Sequence, residues 1–526
     1  MSTDATSAYD LFPYHSKPIY PSHPDCLATV GILLGMRPTP LARCRVLEIG
    51  CAGGGHLIPL ALQAPDSEFV GVDLSARQVA EGLETIEALG LTNIQLRAMN
   101  LEDIDESFGQ FDYISCHGVY SWVPEPIQKS ILAVCRDRLT PTGLVYISYN
   151  TYPGWAQQRV LRDLMVLHSR RFPDPETRLK QAKFILEFMI NAEPEPGHPL
   201  AQHLKNEAVE LLKQPDYYIY HEYLESDNTP VYFAEFMREA HAFGLQYLGE
   251  SWTHFRMDSL KPDIRKTLLQ ISEDLIQLEQ FHDFMRNRTF RRSVLSLAGV
   301  PLDRSPSSQV VMSLYVTALA SPVSPVPDLF SHQPEVFEVE KGGRATIDRP
   351  FAKTLMVTLF EVWPRAIGFE ELWERMRSRL GHDTALMPAS DEESRELLAA
   401  QLLQAYMANF LALQSQPFHF TLKPGVRPVA SPLARYQAAK GHSEVTTLRH
   451  RVTNVDDFDQ IVLQLLDGTR DRDSILADLL ELAHAGRLQV QRDGKPLTDR
   501  SELRPILEQA LEPSLERLAG KTLLTA

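Results

Sequence analysis

The N-terminal third of the chain predicts a doubly wound, Rossmann-like α/β domain, and three observations predict it. Short apolar runs recur at RVLEIG (45–50), EFVGVDLS (68–75), NIQLRAMNL (93–101), FDYISCHG (111–118) and GLVYISYN (143–150). Helical patterns separate them at 55–63, 76–89 and 126–138. The first run also ends in a glycine-rich turn that opens a helix. Strands alternating with helices imply a parallel sheet joined by right-handed crossovers.

The rest of the chain follows in order. Residues 1–45 are rich in Tyr and Pro and read as an ordered, extended lead-in with a short helix near 23–36. After the five strand signals, 156–172 continues as a helix. Residues 173–230 are helical but broken by Pro173, Pro175, Pro194, Pro196, Pro199 and Pro215. An amphipathic helix, a stop at Gly244 and a strand then occupy 231–250, a unit expected to rejoin the first sheet. Residues 171–230 are therefore read as a helical insertion over the active-site crevice, with 1–170 and 231–258 forming one domain. Residues 262–298 predict a mainly helical stretch, within a middle region and linker spanning 259–330, and Pro and Ser mark 301–350 as linker. Beyond it, three helices and a β tail occur twice, which predicts winged-helix-like modules at 331–425 and 426–526. Such modules bind DNA, dock proteins or form dimers.

Composition narrows the function. The chain has 526 residues, 44% hydrophobic and 23% charged, which suits several globular domains. With 52 basic against 68 acidic residues the net charge is −16, so no nucleic-acid partner is expected. Five cysteines without C-x-x-C spacing predict neither a disulfide framework nor a metal site, and fit a reducing, cytoplasmic setting. No signal peptide or membrane span is expected.

The chemistry concentrates in VLEIGCAGGGHL (46–57). A strand, a glycine-rich turn and a helix N-terminus bring backbone N–H groups close to a ligand. Nicotinamide and flavin sites prefer G-x-G-x-x-G after a wholly apolar strand. Here Gly50, Gly53, Gly54 and Gly55 are the glycines, with Ala52 where a second Gly would stand. Glu48 lies two residues before Gly50 and is poorly placed beside a pyrophosphate. It suits a cation such as the α-amino group of S-adenosylmethionine. Asp73 ends the second strand, 23 residues after Gly50, where it can accept both ribose hydroxyls. Asn100 and Leu101 end the third strand and suit the adenine edge and ring. The expected cofactor set is Glu48, Gly50, Cys51, Ala52, Gly54, Asp73, Leu74, Asn100, Leu101 and His117. The bland alternative is a ligand-free α/β fold with Glu48 and Asp73 as surface acids.

These residues resemble motif E-x-G-x-G-x-G of the class I S-adenosylmethionine-dependent methyltransferases, with Ala52 as the departure. A closer resemblance is carried by YDLFPYHSKPIYPSHPDCL, GCAGGGHLIPLAL, FDYISCHGVYSWVP, VYISYNTYPGW, YFAEFMREAHAFGLQYLGE and LLDGTRDR. They look like a bacterial group carrying a methyltransferase regulatory domain, which includes rickettsial protein-lysine methyltransferases. The resemblance implies S-adenosylmethionine as cofactor and a lysine of a protein substrate as acceptor. A small-molecule acceptor and a non-catalytic binding module are the alternatives.

Acceptor candidates follow strands four and five: His117, Tyr120 and Trp122, then Ser148, Tyr149, Asn150, Tyr152 and Trp155. Of these His117, Tyr120, Tyr149 and Asn150 are the expected catalytic residues; each has a packing role as its alternative. Tyr9, Tyr14, Tyr20 and His23 of the lead-in are expected to fold over the site. Cys51 lies beside the cofactor without a call for a thiol nucleophile. The run Arg286, Arg288, Arg291, Arg292 reads as a solvated helix face, with the holding of an acidic partner as the alternative. A homodimer through the accessory helices is the expected assembly.

Overall fold

The computed structural model describes residues 16–192, 198–251, 261–305, 307–340, 342–381, 390–492, 495–497 and 499–526. Helix α1 (Pro24–Leu33) leads into strand β1 (Arg45–Ile49), α2 (Leu57–Gln63), β2 (Glu68–Asp73), α3 (Ala76–Leu89), β3 (Ile94–Ala98), β4 (Phe111–Cys116), α4 (Glu125–Arg138) and β5 (Leu139–Asn150). Four helices follow: α5 (Trp155–Ser169), α6 (Pro175–Asn191), α7 (Pro199–Leu212) and α8 (Asp216–Tyr223). The chain then returns through α9 (Phe233–Ala242), β6 (Leu245–Glu250), α10 (Pro262–Ile271), α11 (Leu275–Arg286) and β7 (Phe290–Leu297).

The seven strands form one sheet in the order β3-β2-β1-β4-β5-β7-β6. β1 to β5 are parallel, whereas β7 runs antiparallel to both β5 and β6. The apolar runs are continuous because both faces are covered: one by Leu27, Val30, Leu57, Leu60 and Ile86, the other by Ile131, Leu132, Phe233 and Phe236. Strand order reverses between β1 and β4, and in open α/β sheets the ligand crevice opens at that point, outside the carboxyl ends.

The unit at 231–250 does enter the first sheet, as β6. Residues 262–298 are mainly helical, through α10 and α11, but 290–297 form β7, a strand the sequence did not announce, which separates β5 from β6. The arginines of FRRSVLSL hid this strand, since a charged pair is a poor signal for a central strand. The reading of 301–350 as linker is also corrected: it holds the short strands Tyr315–Ala318, Ala320–Pro322, Glu335–Val339 and Arg344–Ile347, the first of them mostly buried.

Helices α5 to α8 enclose a small core of their own around Leu161, Met165, Leu186 and Leu211. Further on, helices Pro350–Val362, Phe369–Leu380 and Asp391–Met407 are followed by strand Leu411–Gln414, which pairs with Tyr315–Ala318. Helices Asp457–Leu465, Arg472–His484 and Arg500–Gly520, with the short antiparallel strands Gln491–Arg492 and Lys495–Pro496, repeat the plan as a C-terminal winged-helix unit. No helix among the described residues is long and apolar enough to cross a membrane.

Candidate active site

The turn after β1 is shaped by backbone demands. Gly50 has φ +77°, and a Cβ there would stand 2.4 Å from Cγ2 of Val119. The left-handed conformation costs an L-residue about 1–2 kcal/mol, so Gly50→Ala is expected to lose at least that much stability. Urea denaturation measures it, and an unchanged midpoint would count against the strained turn. The amides of Gly50 and Cys51 donate to Val72 O at 2.8 and 3.1 Å, tying the turn to β2. Gly55 lies under the lead-in: its amide donates to Ser16 Oγ at 2.7 Å, and a Cβ would meet the Ser16 carbonyl carbon at 2.3 Å.

Asp73 closes the other side. Its two oxygens accept the amides of Ala52 and Ser75, each at 2.8 Å. This aims the carboxylate at the turn and leaves each oxygen further lone-pair capacity. Next to it Leu74 is 77% exposed, an apolar surface at the mouth of the crevice. Asn100 caps the turn Leu101–Asp103 and bonds Glu102 through both its amide atoms, while Leu101 is buried in the core. Cys51 is buried, and burial, then Glu48 and Asp73, push its thiol far up, so it holds no thiolate.

Glu48 is 2% exposed, and among the described residues its Oε2 has no hydrogen-bond partner. Burial first, then Asp73, raises its carboxyl well above the usual range. A buried carboxyl without a partner costs free energy, and such a group at a strand end beside a glycine turn fits a ligand that brings a cation. Ser115, its neighbour across β4, also has an unpartnered hydroxyl.

Beyond β4 the crevice becomes aromatic and polar. His117 Nδ1 lies 2.9 Å from Tyr146 Oη and 3.2 Å from Ser148 Oγ. Burial, then Arg292, lowers its imidazole to about 3, so the ring is neutral at physiological pH. Asn150 is 4% exposed; its amide donates to Ser121 Oγ at 2.8 Å, and among the described residues its side-chain nitrogen has no partner.

Other expected residues go elsewhere, and strand alternation explains the most important case. Tyr149 points to the opposite face from Ser148 and Asn150. It is buried against Phe236 at 4.2 Å and bonds Ser293 Oγ at 2.9 Å. Tyr120 is buried beside the same phenylalanine at 5.2 Å. Both belong to the hydrophobic core under α9. Trp122 and Trp155 pack edge to face, and Trp155 continues onto Tyr223 of α8. Tyr152 rests on Tyr232 and accepts from Arg159. Tyr20 and His23 are buried against the C-terminal part, under Arg451 and beside His450, not over the crevice. Tyr9 and Tyr14 lie outside the described residues.

The crevice also takes residues that sequence reasoning missed. Arg292 and Phe290 of β7 sit opposite Ser148 and Asn150 on the same face of the sheet. The Arg292 guanidinium stacks on Phe290, and among the described residues its Nε has no partner. The arginine run is therefore not a solvated helix face; at Arg291 it holds acidic side chains of the same chain. Arg291 is fully buried, bonded to Asp283, Glu250 and Glu279. The alternation of FRRSVLSL was the available signal.

Comparison with known proteins agrees with this geometry. Residues 47–145 match a family model described as Methyltransferase domain, 215–296 match Predicted methyltransferase regulatory domain, and 427–523 match PKMT, C-terminal winged helix domain. An uncharacterized protein of Rickettsia prowazekii is 32% identical over 98% of this chain and 93% of its own length. A second from that organism is 40% identical over 44% of this chain and 93% of its own length. The structure of PKMT2 from Rickettsia typhi in complex with AdoHcy superposes with TM-score 0.86 at 29% identity, covering 98% of this chain and all of that one. A turn that can hold a cationic amino-acid group, a seven-stranded doubly wound sheet and a full-length match to a protein solved with AdoHcy converge: the chain belongs to the S-adenosylmethionine-dependent methyltransferases that carry a methyltransferase regulatory domain and the PKMT winged helix.

Proposed function

We propose that this methyltransferase transfers its methyl group to the side-chain amine of a lysine in a protein substrate. The observation that carries the reading is the far end of the crevice, where His117 is a neutral imidazole and where the side-chain nitrogen of Asn150 and Nε of Arg292 have no hydrogen-bond partner among the described residues. S-adenosylmethionine supplies the methyl group as a sulfonium. On this reading Glu48 takes its ammonium group, the Gly50–Gly54 turn with Cys51 and Ala52 surrounds the amino-acid part, Asp73 takes the ribose, and Leu74 and Asn100 flank the adenine.

A free lysine has a pKa near 10.4 and carries almost no lone pair at neutral pH. Burial lowers that value, and a nearby cation lowers it further. Arg292 supplies the cation, and Phe290 part of the apolar wall. His117 is too weakly basic to store a proton. With its Nδ1–H donated to Tyr146 Oη, Nε2 accepts an N–H of the neutral amine and aims the nitrogen lone pair at the methyl carbon. Asn150 holds the same nitrogen from the β5 side. The relative named PKMT2 supports a protein acceptor.

His117→Ala is expected to cut turnover by about 100-fold or more, the lower range for such groups, with S-adenosylmethionine affinity within about twofold. Tyr149→Phe, by contrast, is expected to leave turnover intact. Labelled cofactor added to a cell lysate, followed by mass spectrometry of the modified proteins, tests the acceptor. Label on lysine supports the reading; label confined to a small metabolite or to carboxylates overturns it.

A further inference from the structure

The C-terminal unit reaches the glycine-rich turn through one buried contact. His450, in the turn between strands Glu444–Thr446 and Val452–Asn454, is fully buried, with Nε2 2.8 Å from Nδ1 of His56. His56 follows Gly55 directly and occupies the capping position at the start of α2. Its Nδ1 also faces the amide of Ile19 at 3.3 Å, and its Nε2 lies 3.3 Å from Ser22 Oγ, which donates to Ile19 O at 3.0 Å.

One proton arrangement accounts for these contacts, with the single lone pair of His56 Nδ1 shared between a shorter and a longer donor. The Ile19 amide can only donate, so His56 Nδ1 is an acceptor. His450 therefore carries its proton on Nε2 and donates it to His56, and His56 carries its own on Nε2 and donates to Ser22. Burial, and then neighbouring histidines, hold both imidazoles well below their ordinary range, so the bond joins two neutral rings. The contact does not stand alone. Gln63 of α2 donates to Leu448 O at 3.3 Å, Lys440 pairs with Glu84 of α3, and Leu433 packs in the core beneath β1. The C-terminal unit thus grips the two helices that flank the turn.

We propose that the C-terminal winged-helix unit is a clamp for the cofactor turn, with His450 as a positioning residue that holds His56 and, through it, the Gly50–Gly55 backbone. A turn with four glycines has much conformational freedom to lose on binding. Holding it from outside reduces that loss, and preorganisation of this kind appears as affinity. The proposal rests on residues 50–55 forming the cofactor turn. If that reading were wrong, Glu48→Gln would also leave affinity unchanged; if only the clamp is wrong, the Glu48 effect remains.

The test uses the full chain. His450→Leu keeps bulk but removes the donor, whereas His450→Gln keeps a donor near Nε2. Calorimetry with S-adenosylmethionine is expected to show about tenfold weaker binding for His450→Leu, the size of one net hydrogen bond. His450→Gln should fall within about threefold of the parent. KM for the cofactor should rise while kcat changes little. By thermodynamic reciprocity, adding S-adenosylmethionine to the unmodified protein should slow hydrogen exchange of the amides at 448–451. A folded His450→Leu protein with parental affinity overturns the clamp, and so does exchange at 448–451 that ignores the cofactor. Should His450→Leu fail to fold, the exchange measurement on the unmodified protein decides alone.

Discussion

Glu48→Gln is expected to weaken S-adenosylmethionine binding by about 10- to 150-fold, corresponding to about 1.5–3 kcal/mol for a hydrogen bond to a charged group. On the proposed reading, this side chain meets the ammonium group of the cofactor, and glutamine keeps the shape but not the charge. The same substitution should change the pH dependence of binding. In the free protein, burial and then Asp73 keep the Glu48 carboxyl protonated well above 4.5. A cationic ligand must displace that proton, so parental affinity rises with pH from 4.5 up to the raised value of the folded carboxyl, and over that window binding releases protons into the buffer. Glu48→Gln should lose both signatures.

Stability should move the other way. A carboxyl raised in the folded state contributes stability that is present below the unfolded value of 4.5 and is lost as pH rises towards the folded value. Without ligand, Glu48→Gln should therefore melt higher than the parent near neutrality, with the difference vanishing at acid pH. Calorimetric titrations in buffers of different ionisation enthalpy, with melting curves across pH, check both arms. Equal affinity and equal pH dependence would remove Glu48 from the cofactor site.

Arg291→Met is expected to be the most damaging single change to the fold. Arg291 is fully buried in the sheet, with Nε and Nη2 on the two oxygens of Asp283, each at 2.8 Å. Nη1 reaches Glu250 at 2.8 Å, and the guanidinium lies 3.7 Å from the centroid of the Phe233 ring. Removing one partner of a buried ion pair costs about 3–5 kcal/mol, because the other charges stay buried without compensation. Here Asp283, Glu250 and Glu279 would all be left, with Arg288 as the nearby cation. Lysine should rescue poorly, since it lacks the planar fork that matches a carboxylate. Adding Asp283→Asn to Arg291→Met should recover part of the loss. Denaturant midpoints and soluble yield report the result; a parental midpoint for Arg291→Met would show that the network carries little of the stability.

How much of this could be read in advance depends on distance along the chain. The strands β1 to β5, the glycine turn, and the placement of Glu48 and Asp73 at strand ends were legible, because periodicity and turn chemistry act over a few consecutive residues. β7 was not, because two adjacent arginines resemble a wet helix until Asp283 and Glu250, from other elements, neutralise one of them. The acceptor side was half legible. Period-two alternation shows that Ser148 and Tyr149 face opposite ways, but only the packing of α9 against one face and of the lead-in against the other decides which is crevice and which is core. That choice moved Tyr149 and Tyr120 into the core and brought in Arg292. The His450–His56 contact spans 394 residues. No local pattern records it, since a buried polar pair is specified by the meeting of two surfaces and not by the sequence around either residue.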